Sequence, residues 1–157
     1  MNFLANSYRR FIALLNLFAN PLLLFIRVYF GWQIAQAGFG KLEHLDRAAG
    51  FFASISIPAP HFTALFVGLV EFLGGIFLAL GVGSRITALF LFATMTVAYW
   101  TADRDAFLGV FTDPDKFTAA GPYTIWFAAL LILILGPGKW ALDTLLARFW
   151  PSEPTTH

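Results

Sequence analysis

The chain has 157 residues, 59% of them hydrophobic and only 12% charged, with a mean hydropathy of +0.72. A soluble domain of this size cannot hide that much apolar surface, so the class is an integral membrane protein with the lipid bilayer as its main partner. A net charge of +1 without a Lys/Arg run argues against a nucleic-acid partner, and zero cysteines exclude disulfide relays, iron–sulfur clusters and covalently attached haem. His44, His61 and His157 all lie outside the apolar runs, so a bis-histidine haem within the spans is not expected either.

In chain order, YRRFIALL carries paired arginines before an apolar stretch, as a signal peptide does. Phe11 follows the pair directly and no A-x-A site precedes Pro21, so the segment reads as uncleaved. Residues 2–19 place Tyr8, Phe11, Ile12, Leu15 and Phe18 at helical spacing opposite Arg9 and Arg10. That pattern predicts a helix lying in the interface and broken at Asn20-Pro21. A first span follows at about 21–40, then a loop whose apolar middle predicts a short helix before Pro58 and Pro60.

The second span is expected at about 62–82, a tight turn at Gly81–Ser84, and the third span at about 85–101 with Ser84 as its cap. Residues 103–116 are aqueous, carrying Asp103, Asp105, Asp113 and Asp115. The fourth span is expected at about 119–136, with Pro122 in its first turn. KWALDTLLARFW reads as a second interfacial helix anchored by Trp140 and Trp150, and 151–157 as a disordered tail after a single domain. The predicted fold is therefore all-α: an antiparallel four-transmembrane-helix bundle with an interfacial helix at each end. Five Lys/Arg on the side of the termini (Arg9, Arg10, Arg85, Lys139, Arg148) face four on the other, a small bias towards cytoplasmic termini.

Two charges lie within the apolar runs. An ionised Glu71 in mid-span costs on the order of 3 kcal/mol, so it should face the bundle and find a partner. Gly68, Glu71 and Gly75 share one helical face, and Arg27, Gly31, Ala35 and Gly38 form a matching small-residue face on the first span. Taking residues 21 and 82 as helix ends at one boundary, a rise of about 1.5 Å per residue puts Arg27 roughly 9 Å and Glu71 roughly 16 Å deep. An Arg27–Glu71 ion pair is the expectation, with Gln33 and Gln36 extending a polar network. Such a pair serves equally well as a purely structural device that sets helix register. Lys41 and Arg85 read as interfacial anchors, and Glu43, His44, Asp46 and His61 match no metal-ligand spacing.

Arg27, Gly31, Gly38, Lys41-Leu42, the IPAP loop, EFLGG at 71–75, Gly81, Arg85 and the closing GPGKWALD together resemble the DoxX family over about residues 21–147. In that family an acidic residue often follows a glycine in the fourth span, where this chain has Tyr123. The resemblance implies a four-helix protein of the bacterial inner membrane, associated with quinone-linked redox systems of sulfur metabolism or oxidative stress, in a group that also holds non-catalytic chaperones. Three readings follow. The first is a redox subunit, without haem, iron–sulfur or metal, that binds quinone or quinol: Glu71 and Arg27 form the proton-exchanging pair, and Tyr99, Trp100, Tyr123 and Gln33 line the slot. It would work with another membrane or peripheral redox subunit or as a homo-oligomer. The second is a scaffold or assembly factor; the third is a proton-coupled transporter, for which no inverted repeat pairs the halves. Whether the chain is an enzyme stays open on sequence alone.

Overall fold

The computed structural model describes residues 2–149, all helical or turn, with no strand among them. The elements are α1 (Asn2–Glu43), α2 (Leu45–Ser54), α3 (Pro60–Leu80), α4 (Ser84–Ala102), α5 (Arg104–Leu108), α6 (Pro114–Ala119), α7 (Tyr123–Leu135) and α8 (Leu142–Phe149). Two of these, α1 from Asn6 and α3, are long and apolar enough to cross a membrane.

The interfacial helix expected at 2–19 does not separate from the first span. Pro21 sits inside one 42-residue helix. Its missing N–H costs a single backbone bond, and membrane helices tolerate such a loss where neighbours hold the chain. Here the Lys139 N–H donates to Asn20 Oδ1 at 2.9 Å, and a Cβ at Gly138 would lie 3.3 Å from Leu23. The fourth apolar helix is also shorter than the expected 119–136. Gly121 and Pro122 form a turn after the extended Ala120, and α7 runs for 13 residues from Tyr123. The short helix before the IPAP loop forms as expected, as does the turn at 81–84. Trp150 and the tail 151–157 lie outside the described residues.

The packing is built on α1 against α3. Gly31 faces Gly75 and Ala79, while Gly38 faces Gly68, Glu71 and Phe72, so the helices run antiparallel at backbone contact. Added Cβ atoms at Gly31 and Gly75 would come within 2.7 and 2.5 Å of opposing backbone oxygens. Only glycine permits that approach, and it is how helices associate where burial from water offers no drive. On the other flank of α3, Gly74 receives Leu91 of α4. A core of Ile34, Leu78, Ala88, Leu91, Ala129 and Ile132 then joins α1, α3, α4 and α7. Trp126 of α7 donates its indole N–H to Thr96 of α4 at 3.0 Å, and Gly136 lies beside the Arg85 side chain, so those two helices are antiparallel as well.

The glycine contact separates two otherwise similar substitutions. Gly38→Ala should destabilise the protein by about 1–3 kcal/mol or more, because its methyl would meet the backbone of Gly68, Glu71 and Phe72. Gly40→Ala, with open space around the position, should be neutral or gain up to about 1 kcal/mol in helix propensity. Unfolding midpoints of the two variants in mild detergent check this, and equal midpoints would refute the packing.

Candidate functional site

Arg27 and Glu71 are not partners. The glycine contacts bring Arg27 level with Gly81, whose Cα the guanidinium abuts, whereas Glu71 lies opposite Gly38. At about 1.5 Å per residue, the 10 residues from Gly81 to Glu71 separate the two charges by roughly 15 Å along the bundle. Depths counted from residues 21 and 82 miss this because residue 21 is not a helix end.

Glu71 instead pairs with Lys41 of the last α1 turn through its Oε2, which accepts from Nζ. The Glu71 side chain is 5% exposed and that of Lys41 31%, so the ammonium keeps one side towards open space. The expected interfacial anchor is therefore the counter-ion, and its hydrocarbon stem spans the last turn of α1 to reach the carboxylate.

Arg27 is fully buried near the other end of the bundle, where its Nη2 donates to the Trp140 carbonyl at 3.0 Å. Asp143 supplies the negative charge nearby. Its carboxylate accepts from the Gly83 and Ser84 N–H groups, each at 2.7 Å, while its own N–H donates to the Gly81 carbonyl at 2.9 Å. The expected Ser84 cap is therefore replaced. Gly83 is the N-cap in a left-handed conformation (φ 52°), the Ser84 hydroxyl has no partner, and a carboxylate 59 residues downstream caps α4. Burial alone would push the Asp143 carboxyl up, but the hydrogen bonds from Ser84 and Gly83 and the Arg27 charge outweigh it and hold the group below the usual carboxylate range.

A cavity of about 940 Å³ opens at the Glu71 end, between the end of α1, α2, α3, α4 and the start of α7. Its wall is formed largely by Phe51, Phe66, Val70, Met95, Ala98 and Ile125, with Lys41 and Glu71 on one side and Arg47 and Asp103 among the other charged groups. Arg27, Gln33, Tyr99, Trp100 and Tyr123 do not line it. Tyr99 is fully buried, stacks on Phe117 and donates its hydroxyl to the Phe117 carbonyl at 2.8 Å. Tyr123 stacks on Phe127, Trp100 lies exposed with the Arg104 guanidinium 4.7 Å above its ring, and Gln33 is half-buried on α1. His61 and Asp46 approach to 3.8 Å at the surface, and among the described residues no three His, Asp or Glu side chains converge as metal ligands would.

A family model described as DoxX matches residues 22–104. The inner membrane protein YphA of Escherichia coli is 30% identical over 112 residues, covering 68% of this chain and 76% of that protein. The uncharacterized membrane protein Rv3486 of Mycobacterium tuberculosis is 30% identical over 135 residues, covering 82% of this chain and 83% of its own. No solved structure matches.

Two measurements test the geometry. A double-mutant cycle of Lys41→Met with Glu71→Gln should give a coupling of about 1–3 kcal/mol, and one of Arg27→Met with Glu71→Gln a coupling within about 0.5 kcal/mol of zero. The reverse order would restore the Arg27–Glu71 pair. Asp143 has a folded pKa below its unfolded value of about 3.9, so its contribution is complete above about pH 5 and is lost as pH falls through the folded value. Asp143→Asn should lower stability at neutral pH and flatten the acid limb of the stability curve; parallel limbs for the two proteins would contradict this.

Proposed function

The chain belongs to the DoxX family, and on that premise we propose that it is a multi-pass inner-membrane subunit of a quinone-linked redox system. In this reading α1, α3, α4 and α7 are the four spans, in alternating directions. The termini and the 81–84 turn face the cytoplasm, and the cavity lies in the outer half of the bilayer. The name of the Escherichia coli relative supports the inner membrane as the location. The Lys/Arg of the loops support the orientation by five on the side of the termini against four on the other.

The observation that carries the proposal is the cavity itself: an apolar volume of about 940 Å³ with a buried carboxylate and its half-exposed ammonium partner in its wall. Small-molecule sites combine such an apolar enclosure with a few placed polar groups. A quinone brings paired electron and proton uptake when bound. Lys41 keeps N–H donors beyond the one given to Glu71, enough to orient a carbonyl oxygen. Glu71, joined to Lys41, holds or releases a proton at Oε2, and Phe66, Val70 and Met95 keep water from the ring face. Lys41 takes the role that the sequence reading gave to Arg27. A scaffold reading is favoured by one feature, the Lys41–Glu71 bridge across the α1–α3 contact, which fixes helix register with no ligand at all.

Glu71→Gln keeps the shape of the site and removes the exchangeable acid. It should leave expression and assembly nearly intact and abolish quinone-dependent turnover, while Ala98→Trp, which fills the cavity, should expel co-purifying quinone. Mass spectrometry of lipid-soluble molecules bound to the protein in nanodiscs reads the second effect. Quinone retained equally by wild type and Ala98→Trp, or absent from both, would leave the scaffold reading in place.

A further inference from the structure

We infer that α1 pairs in parallel with α1 of a second copy of this chain, along an exposed seam distinct from the glycine face that meets α3. Tyr8, Leu15, Leu22, Tyr29 and Gln36 recur at steps of seven, and three residues after each stand Phe11, Phe18, Phe25, Trp32 and Phe39. The alternation of three and four continues without a break over more than four heptads, which is the pattern of a helix that twines with a like partner. The nine apolar members are all exposed, between 47 and 66%. The face of α1 already committed to α3, with Gly31, Ile34 and Gly38, lies elsewhere on the helix, although Phe39 at the end of the seam also meets α3, its ring 5.9 Å from that of Phe72.

Contact with lipid asks only that a surface be apolar, and two features exceed that. Gln36 stands exposed in the seam between Trp32 and Phe39, where lipid offers it no hydrogen-bond partner. In a parallel two-fold pair, equivalent seam positions meet, so Gln36 faces its counterpart and the two amides bond across the axis. The seam also continues past the bundle. Residues 6–19 are exposed on every side, beyond the tether at Asn20, and Asn6, Ser7, Arg9, Arg10 and Asn16 all fall off the seam. No like charges oppose one another when two such segments meet.

The area suffices. A large aromatic side chain offers roughly 200 Å², so nine half-exposed seam residues present on the order of 900 Å² per chain, against about 800 Å² per partner in a standard interface. The drift of the seam around a straight helix, about 20° per heptad, sets a left-handed crossing of about 20°. The cavity-lining residues of α1, Ala37, Gly40 and Lys41, lie off the seam, so pairing leaves the cavity open.

The chain has no cysteine, so single-cysteine variants read the contact directly in native membranes. Under a membrane-permeant oxidant, Leu15→Cys, Leu22→Cys and Tyr29→Cys should form a disulfide-linked species of twice the chain's mass. The off-seam controls Leu17→Cys and Leu89→Cys, at 68 and 51% exposure, should remain monomeric. Gln36→Leu should weaken self-association in nanodiscs roughly 3- to 20-fold, the span expected for losing an interhelical side-chain hydrogen bond. Equal cross-linking at seam and control positions overturns the inference, as do seam adducts formed only with a different protein. An unchanged association constant for Gln36→Leu overturns the register.

Discussion

The backbone contact between α1 and α3 is the constraint on which the rest of the structure depends. Four glycines and two alanines remove the side chains that would hold the helices apart, and the resulting register decides which charged residue meets which. With Gly31 against Gly75 and Gly38 against Gly68, Glu71 falls within reach of Lys41, and Arg27 is carried to the level of the 81–84 turn. A slip of one helical turn would pull Glu71 away from Lys41 and Arg27 away from the Trp140 carbonyl. The close packing and the ion pair therefore enforce the same alignment, one by shape and the other by charge.

The polar groups gather in two places of different character. At the end of the bundle holding the 81–84 turn, Arg27 donates to the Trp140 carbonyl and Asp143 accepts from two backbone N–H groups, while Arg27 Nε and Nη1 and the Ser84 hydroxyl are buried without a hydrogen-bond partner. At the other end, Lys41 and Glu71 satisfy one another but border a wide apolar opening. Arg27 is fully buried and does not line the cavity, whereas Lys41 and Glu71 face a volume that a ligand can enter. This difference is why the proposed site is placed at Glu71 and Lys41 and not at Arg27.

Much of this arrangement is legible in the residues. The apolar runs, the glycine faces, the short helix before IPAP and the turn at Gly81–Ser84 follow from spacing and composition. The pairing of charges does not follow when depth is counted from assumed helix ends, because Pro21 does not end α1. A better ruler was present: matching Gly31 with Gly75 and Gly38 with Gly68 places α1 and α3 in one consistent antiparallel register. That register brings Glu71 near the end of α1, where Lys41 lies. The cap on α4 is a different matter. Ser84 has the right chemistry for its position, and nothing local in the sequence announces that a carboxylate 59 residues away displaces it. The aromatic cluster of Tyr99, Phe117, Tyr123 and Trp126 likewise forms only once residues 104–122 fold back over α4, turning expected slot residues into packing.

The Asp143 cap also bears on the order in which the protein is made. Helix α4 emerges from the ribosome with its first N–H groups bare and stays so until 143 has been synthesised. Until then Arg27 also lacks the Trp140 carbonyl and the Asp143 charge. The early hairpin of α3 and α4 is thus held in a provisional state through the synthesis of some 60 residues, and the last helical segment closes both ends of the account at once. A chain truncated shortly before Asp143 would contain every apolar helix yet leave the buried Arg27 guanidinium without its nearby negative charge.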